Sequence, residues 1–336
     1  MPIFRSFKPG RSLIAALSAG LIALTCMPAA AQGDATQYPS RPVRLVVSYG
    51  AGGSLDAIAR LLGQELQKQM GQSFVVENVA GAGGTIGVRQ VINAAPDGYT
   101  LLMGITSDVA LAPLTNLNAK YQSTDLTPVA NIGTSGIVLV SRPDLPVNNL
   151  TELLQLAKTK PGQIRYGTSG TGSLPHVAME NVNNIAGVDI PLIPYKSASN
   201  ITSDLLGGHV DLAIVGLPAL LPMIQQQKLK ALAVFSKKRD IGDRSIPSAS
   251  ETVGLQSVDF AFWTGMFAPK GTPPAIVNKV RDAVVAILRR PDMVKQFSKM
   301  GVEVAQPQTA EEFKSYVEQS QRQLQDAVKR ARISAQ

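Results

Sequence analysis

The sequence predicts an α/β protein of two lobes, each built on a mostly parallel sheet. Three observations carry this. Short β-type runs alternate with runs of helical period from Val43 onward. The alternation starts afresh in the middle of the chain, and no long flexible tether separates the two stretches. Glycine-rich loops stand between strand and helix, where an open sheet places its ligands.

Residues 43–49 read as a buried strand, and Leu55, Ile58, Ala59, Leu62, Leu66 and Met70 then recur at helical spacing. A strand over 73–77, a helix over 85–94, the turn Pro96-Asp97-Gly98 and a strand over 100–103 follow. Asn149 with Glu152 forms a capping-box pattern opening a helix that ends before Pro161-Gly162. Next come a strand over 164–166, a helix over 174–186 closed by Gly187, and a strand over 191–195. A helix near 201–206, closed by Gly207-Gly208, leads to strands over 210–215 and 229–235. After an extended run to Pro269, Pro273 or Pro274 opens a helix, Pro291 is read as a stop, and Thr309 with Glu312 caps a last amphipathic helix. The extended stretches 129–142 and 258–269 are the expected hinge connections.

Arg5, Lys8 and Arg11 precede an apolar, charge-free stretch that ends in Ala29-Ala30-Ala31, the layout of a cleavable export leader over 1–31. Cys26, the only cysteine, lies inside it; Thr25 before it and Met27 after it fit a lipidated cysteine poorly. The mature chain then holds neither a disulfide nor a thiol nucleophile. The formal net charge of +8 includes three basic leader residues, which leaves +5 on the mature chain. Those charges are scattered, with no basic run interleaved with aromatics, so nucleic acid is not an expected partner. Lys237-Lys238-Arg239 reads as a solvated loop.

Four loops are suited to chemistry: Gly50-Ala51-Gly52-Gly53-Ser54, Gly81-Ala82-Gly83-Gly84-Thr85, Gly104-Ile105-Thr106-Ser107 and Gly167-Thr168-Ser169-Gly170-Thr171-Gly172-Ser173. Glycine admits close approach of the backbone, hydroxyls add donors, and a helix N-terminus favours an anion, so a carboxylate can be held without Arg or Lys. Leu55 and Ile86 occupy the third-glycine positions of a dinucleotide fingerprint, which therefore fails. No Gly-Lys-Ser/Thr triplet makes a P-loop, and Ser169 and Ser173 do not satisfy a hydrolase elbow. His176 and His209 are the only histidines and have no carboxylate or cysteine at ligand spacing, so neither a metal nor another cofactor is expected. His176 fits a ligand contact or a capping role; His209 fits a turn. Asp56 is read as a buttress of its loop, and Trp263 and Tyr49 fit either a pocket wall or the core.

Blocks at 49–56 (Tyr-Gly-Ala-Gly-Gly-Ser-Leu-Asp), 76–84, 95–102 (Ala-Pro-Asp-Gly-Tyr-Thr-Leu-Leu), 170–176 (Gly-Thr-Gly-Ser-Leu-Pro-His), 194–196 (Pro-Tyr-Lys) and 268–273 resemble, in order, the Bug (Bordetella uptake gene) solute receptors of tripartite tricarboxylate transporters. The resemblance runs from about Tyr38 to the C-terminus. It implies a type II periplasmic-binding-protein fold, with one lobe over 38–138 plus 262–336 and the other over 139–261, closing on a small organic carboxylate. The ligand-facing positions it implies are Tyr49, Gly53, Ser54, Leu55, Thr106, Ser107, Ser169, Thr171, Gly172, Ser173, His176 and Gly216. Leu55 stands where the family usually has threonine, and Val215-Gly216 where an Asp-Asn pair is frequent. The first change removes a hydroxyl and the second a carboxylate that would greet an amine, so the expected ligand is a di-, tri- or aromatic carboxylate rather than an amino acid.

The expectation is a monomeric periplasmic receptor that hands its ligand to membrane permease subunits. A sensing subunit presenting the ligand to a sensor kinase is the alternative, and a secreted hydrolase a third. An enzyme needs an acid, base, nucleophile or metal set that these loops do not supply.

Overall fold

The structure, a computed structural model, describes residues 1–4 and 37–335. Beyond its first four residues, the leader expected over 1–31, with Cys26, lies outside the described residues.

The first sheet grows from β1 (Val43–Val47), a run of Val and Leu with all but Arg44 buried. Helix α1 (Ser54–Met70) lays Leu55, Ile58, Ala59, Leu62 and Leu66 on the sheet and stops at Gly71, whose φ of 74° is left-handed. Strand β2 (Phe74–Asn78), helix α2 (Thr85–Ile92) and strand β3 (Thr100–Ile105) complete a nucleus in which β2 and β3 flank β1 in parallel. A π-helical turn over Thr106–Leu111 and the short α3 (Ala112–Thr115) follow, so the expected loop over 104–107 does lead into a helix, with Thr106 and Ser107 already inside its first turn.

Strand β4 (Leu126–Ser141) has 16 residues, well beyond an ordinary strand, because it belongs to two sheets in succession. Helix α4 (Leu150–Thr159) carries the expected cap: Asn149 Oδ1 accepts from the Glu152 N–H at 2.9 Å and Glu152 Oε2 accepts from the Asn148 N–H at 2.7 Å. The second nucleus comprises β5 (Tyr166–Thr168), α5 (Leu174–Ala186), β6 (Leu192–Pro194), α6 (Ala198–Leu206) and β7 (Leu212–Gly216), with β6 and β7 parallel to β5. Strand β5 lies two residues later than the expected 164–166, so it takes in Gly167 and Thr168.

Helix α7 (Leu217–Gln225) stands between β7 and β8 (Lys230–Val234), where the sequence reading had none. Strand β9 (Ala261–Pro269) then returns through the first sheet. Helix α8 (Pro274–Leu288) begins after Pro273, and Pro291 proves to be the start of a new helix, α9 (Pro291–Lys299), rather than a stop. A proline at the first helical position loses no hydrogen bond, which is why both helices tolerate it. Short β10 (Val302–Val304) and α10 (Ala310–Ala331) end the fold; Thr309 and Glu312 form the expected reciprocal box.

The strand order is β2-β1-β3-β9-β4-β7-β5-β6, with β8 and β10 also on β4. Pairing is parallel within each nucleus and antiparallel wherever β4 or β9 takes part. These are the two stretches expected to connect the lobes, and β4 takes part in both sheets: its first part pairs with β9 and its last with β7 and β8. Leu45, Ile58, Leu62, Ile132, Val280 and Phe297 belong to the core of the first lobe. Trp263 is core as well. It is 2% exposed, meets Phe313 edge to face with ring centres 6.1 Å apart, and its Nε1–H donates to Ser320 Oγ at 2.9 Å.

Candidate functional site

Four helices follow the carboxyl ends of strands, α7 directly and the others across short loops, and their first residues line one region: α1 after β1, α5 after β5, α6 after β6 and α7 after β7. The first turn of a helix carries N–H groups with no partner inside the helix. In α1, α5 and α7 the residues before the first turn, Gly53, Ser173 and Gly216, make no side-chain cap. In α6 the Ser197 side chain does cap, accepting from the Asn200 N–H at 3.3 Å. Uncapped N-termini aimed at a common space make a field that favours negative charge.

That space is a cavity of about 630 Å³, its open mouth included. From the first lobe Tyr49, Gly53, Ser54, Leu55 and Ser107 line it; from the second, Ser169, Ser173 and Gly216 do so. These eight of the expected positions come together. Sequence reasoning missed Ser135 of β4 and Phe262 and Thr264 of β9, which line the cavity from the two connecting strands. It also missed Pro175 and Ala198, placed Ile105 only within a candidate loop, and named Val215 only as a departure. Among the described residues no Lys or Arg lines the cavity, so its donors are hydroxyls and backbone N–H groups.

Four expected positions lie elsewhere. Thr106 is 2% exposed and its Oγ1 accepts from the Trp263 N–H at 2.8 Å, tying β3 to β9. Thr171 lines a second, outer chamber. Gly172 packs on Thr115, whose Oγ1–H donates to its carbonyl at 3.0 Å; a Cβ there would come within 2.7 Å of that oxygen, and its φ is 73°. His176 Nδ1 accepts from the Gly172 N–H at 2.9 Å, so the ring braces the turn. Burial pushes its pKa down to about 4, which keeps the ring neutral and its Nδ1 an acceptor. Of the two roles the sequence left open, the geometry fits the capping one.

Asp56 itself lines the cavity, but its carboxylate is already engaged. Its Oδ2 accepts from the Gly52 N–H at 3.0 Å, and Arg60 pairs with it at 2.9 Å. Burial opposes its charge, but hydrogen bonds from Arg60, Gly52 and Asn78 outweigh that and hold its pKa below the usual value. The buttress reading of Asp56 fits this geometry. The Tyr49 phenol is pushed well above its ordinary pKa by burial and then by Asp108, so it stays a donor, here to the Gly83 carbonyl at 3.0 Å. Asp108, wholly buried next to Ser107, accepts from Ser48 Oγ–H and from the Ile105 N–H at 2.7 Å.

The lobes touch through the same loops. Ser54 Oγ–H donates to the Gly216 carbonyl at 3.0 Å, and the Leu174 N–H donates to Ser107 Oγ at 3.0 Å. Gly50 has no room for a side chain, since a Cβ would lie 2.9 Å from Ser197 Cβ. Loops from two sheets therefore enclose a cavity whose walls offer neutral donors and apolar groups such as Leu55, Ile105, Val215 and Phe262.

Comparison with known proteins agrees with this architecture. Residues 58–331 match the family described as "TctC: Tripartite tricarboxylate transporter family receptor". BugT of Bordetella pertussis is 35% identical over 275 residues, covering 81% of this chain and 84% of that protein. Rpa4515 of R. palustris, solved with adipate, superposes with a TM-score of 0.86 at 31% identity, covering 89% of this chain and all of the other. MatC of Rhodopseudomonas palustris, with bound malate, gives a TM-score of 0.81 at 29% identity over 87% of this chain and all of the other. With the two-lobed fold, the Bug-like sequence blocks and a family match over most of its length in agreement, the chain belongs to the TctC family of tripartite tricarboxylate transporter receptors.

Proposed function

We propose that this chain is a periplasmic receptor that closes its lobes, 38–138 with 262–336 and 139–261, on a small dicarboxylate. It then presents that ligand unchanged to the membrane permease subunits of a tripartite transporter. The observation that carries the reading is that the first residues of α1, α5 and α7, none capped by its own N-cap side chain, meet at a cavity lined with hydroxyls and, among the described residues, no basic side chain. Such a site neutralises a carboxylate with aligned N–H dipoles and O–H donors. The adipate and malate held by two relatives support the same ligand class. Export is assigned to the leader at 1–31, cleaved after Ala31.

Leu55 and Val215 bear on the choice among carboxylates. Both present aliphatic surface to the cavity, and no free carboxylate is left there to pair with an ammonium group, because Asp56 is held by Arg60. The ligand body is accordingly apolar, with charge only at its acid groups. Isothermal titration of the mature protein tests this. Adipate is expected to bind more tightly than aspartate or glutamate, and binding should raise the melting temperature by mass action. Strong binding of the amino acids with none of plain dicarboxylates would refute the reading.

A further inference from the structure

The cavity just described is not the only chamber between the lobes. A second space of about 870 Å³, open mouth included, lies against it and shares Tyr49 and Ser169 as lining. The 81–84 glycine loop and Asn116 bound it on one side; Thr171, Tyr195 and Lys196 bound it on the other. The two chambers differ in charge, since among the described residues no basic side chain lines the inner one while Lys196 lines the outer. Lys196 is exposed, and among the described residues no acidic group pairs with it. Its backbone abuts the inner wall, its carbonyl lying 3.9 Å from where a Cβ on Gly50 would sit. Thr171 adds a hydroxyl that makes no hydrogen bond of its own among the described residues.

We infer that the outer chamber is a second anion subsite, in which Lys196 and Thr171 take the far carboxylate of a long α,ω-dicarboxylate whose near carboxylate sits in the inner cavity. This subsite presupposes the carboxylate-receptor reading above and adds selection by chain length. A short diacid places both charges among neutral donors, whereas a longer one passes Tyr49 and Ser169 and reaches an ammonium with three N–H donors on a flexible stem.

Titration calorimetry of wild type, Lys196→Met and Lys196→Arg with succinate, adipate, suberate and the monoacid hexanoate decides it. Lys196→Met is expected to weaken suberate and adipate by about fivefold, the upper end for an exposed ammonium–carboxylate pair. Succinate and hexanoate should move by less than about twofold, and Lys196→Arg should retain the long diacids. Added salt should lower wild-type affinity for suberate towards that of the methionine variant. An equal loss for every acid, or no loss for suberate, overturns the subsite while leaving the receptor reading intact. Failure of wild type to bind any of these acids overturns both.

Discussion

Replacing Asp108 with asparagine is a direct test of the electrostatics beneath the binding loops. Asp108 is wholly buried, and its carboxyl receives Ser48 Oγ–H and the Ile105 N–H but no basic side chain; Tyr49 and Tyr121 are the titratable groups beside it. Burial raises its pKa from 3.8 to about 7, only partly offset by those hydrogen bonds. At 1.36 kcal/mol per unit, the penalty on the ionised form is on the order of 4 kcal/mol. Because the folded pKa is the raised one, the stabilising contribution is complete below 3.8, declines as pH rises, and is lost above about 7. His176 works the other way: its pKa is lowered from 6.5 to about 4, so its contribution is present above 6.5 and lost as pH falls. The two oppose each other over the same window, and the wild-type profile alone conceals both. Urea unfolding of wild type and Asp108→Asn across that window isolates the aspartate, since His176 cancels in the difference. The variant's stability relative to wild type should climb with pH by on the order of 4 kcal/mol and level off above about pH 7. A difference that does not change with pH would mean that Asp108 is ionised without penalty in the fold, and the reasoning would fail.

Gly216→Ala places a Cβ 2.6 Å from Ser54 Oγ and 3.3 Å from Ser54 Cβ, at the point where the lobes meet. Calorimetry should show roughly tenfold weaker carboxylate binding, while the thermal melt of the unliganded protein changes little. Thr309→Ala removes the reciprocal cap of α10 and should cost about 1 kcal/mol in a urea melt, with Thr309→Ser restoring most of it.

Helices marked by a chemical signal at their ends were legible in the sequence. Helix α5 runs over the expected residues because Gly187 takes a φ of 64° that few other residues accept, and α4 and α10 begin at side-chain caps. Helix α7 has no side-chain cap to mark its start and contains Pro218 and Pro222, residues that ordinarily interrupt a helix, although the first falls in the opening turn. Pro291 misled for a related reason, since ending one helix and starting another have the same signature when two residues separate them. In the site, the glycine loops were visible because backbone conformation restricts residue choice there. Ser135, Phe262 and Thr264 were not, because the alternation of a long strand shows which face a residue occupies but not that the strand passes beneath a cavity. Thr106 and His176 illustrate the converse. A hydroxyl or imidazole in such a loop looks the same in sequence whether it meets a ligand or accepts from Trp263 or Gly172.

The double membership of β4 bears on how this protein can be dissected. Severing the chain before β4 reaches the second sheet would part Leu126 to Gly136 from β9, and severing it after β4 would part Val138 to Ser141 from β7 and β8. Either fragment would carry a raw edge of unsatisfied peptide groups, an invitation to self-association. The two sheets share this strand, so transplanting specificity between relatives by exchanging one sheet requires exchanging β4 with it.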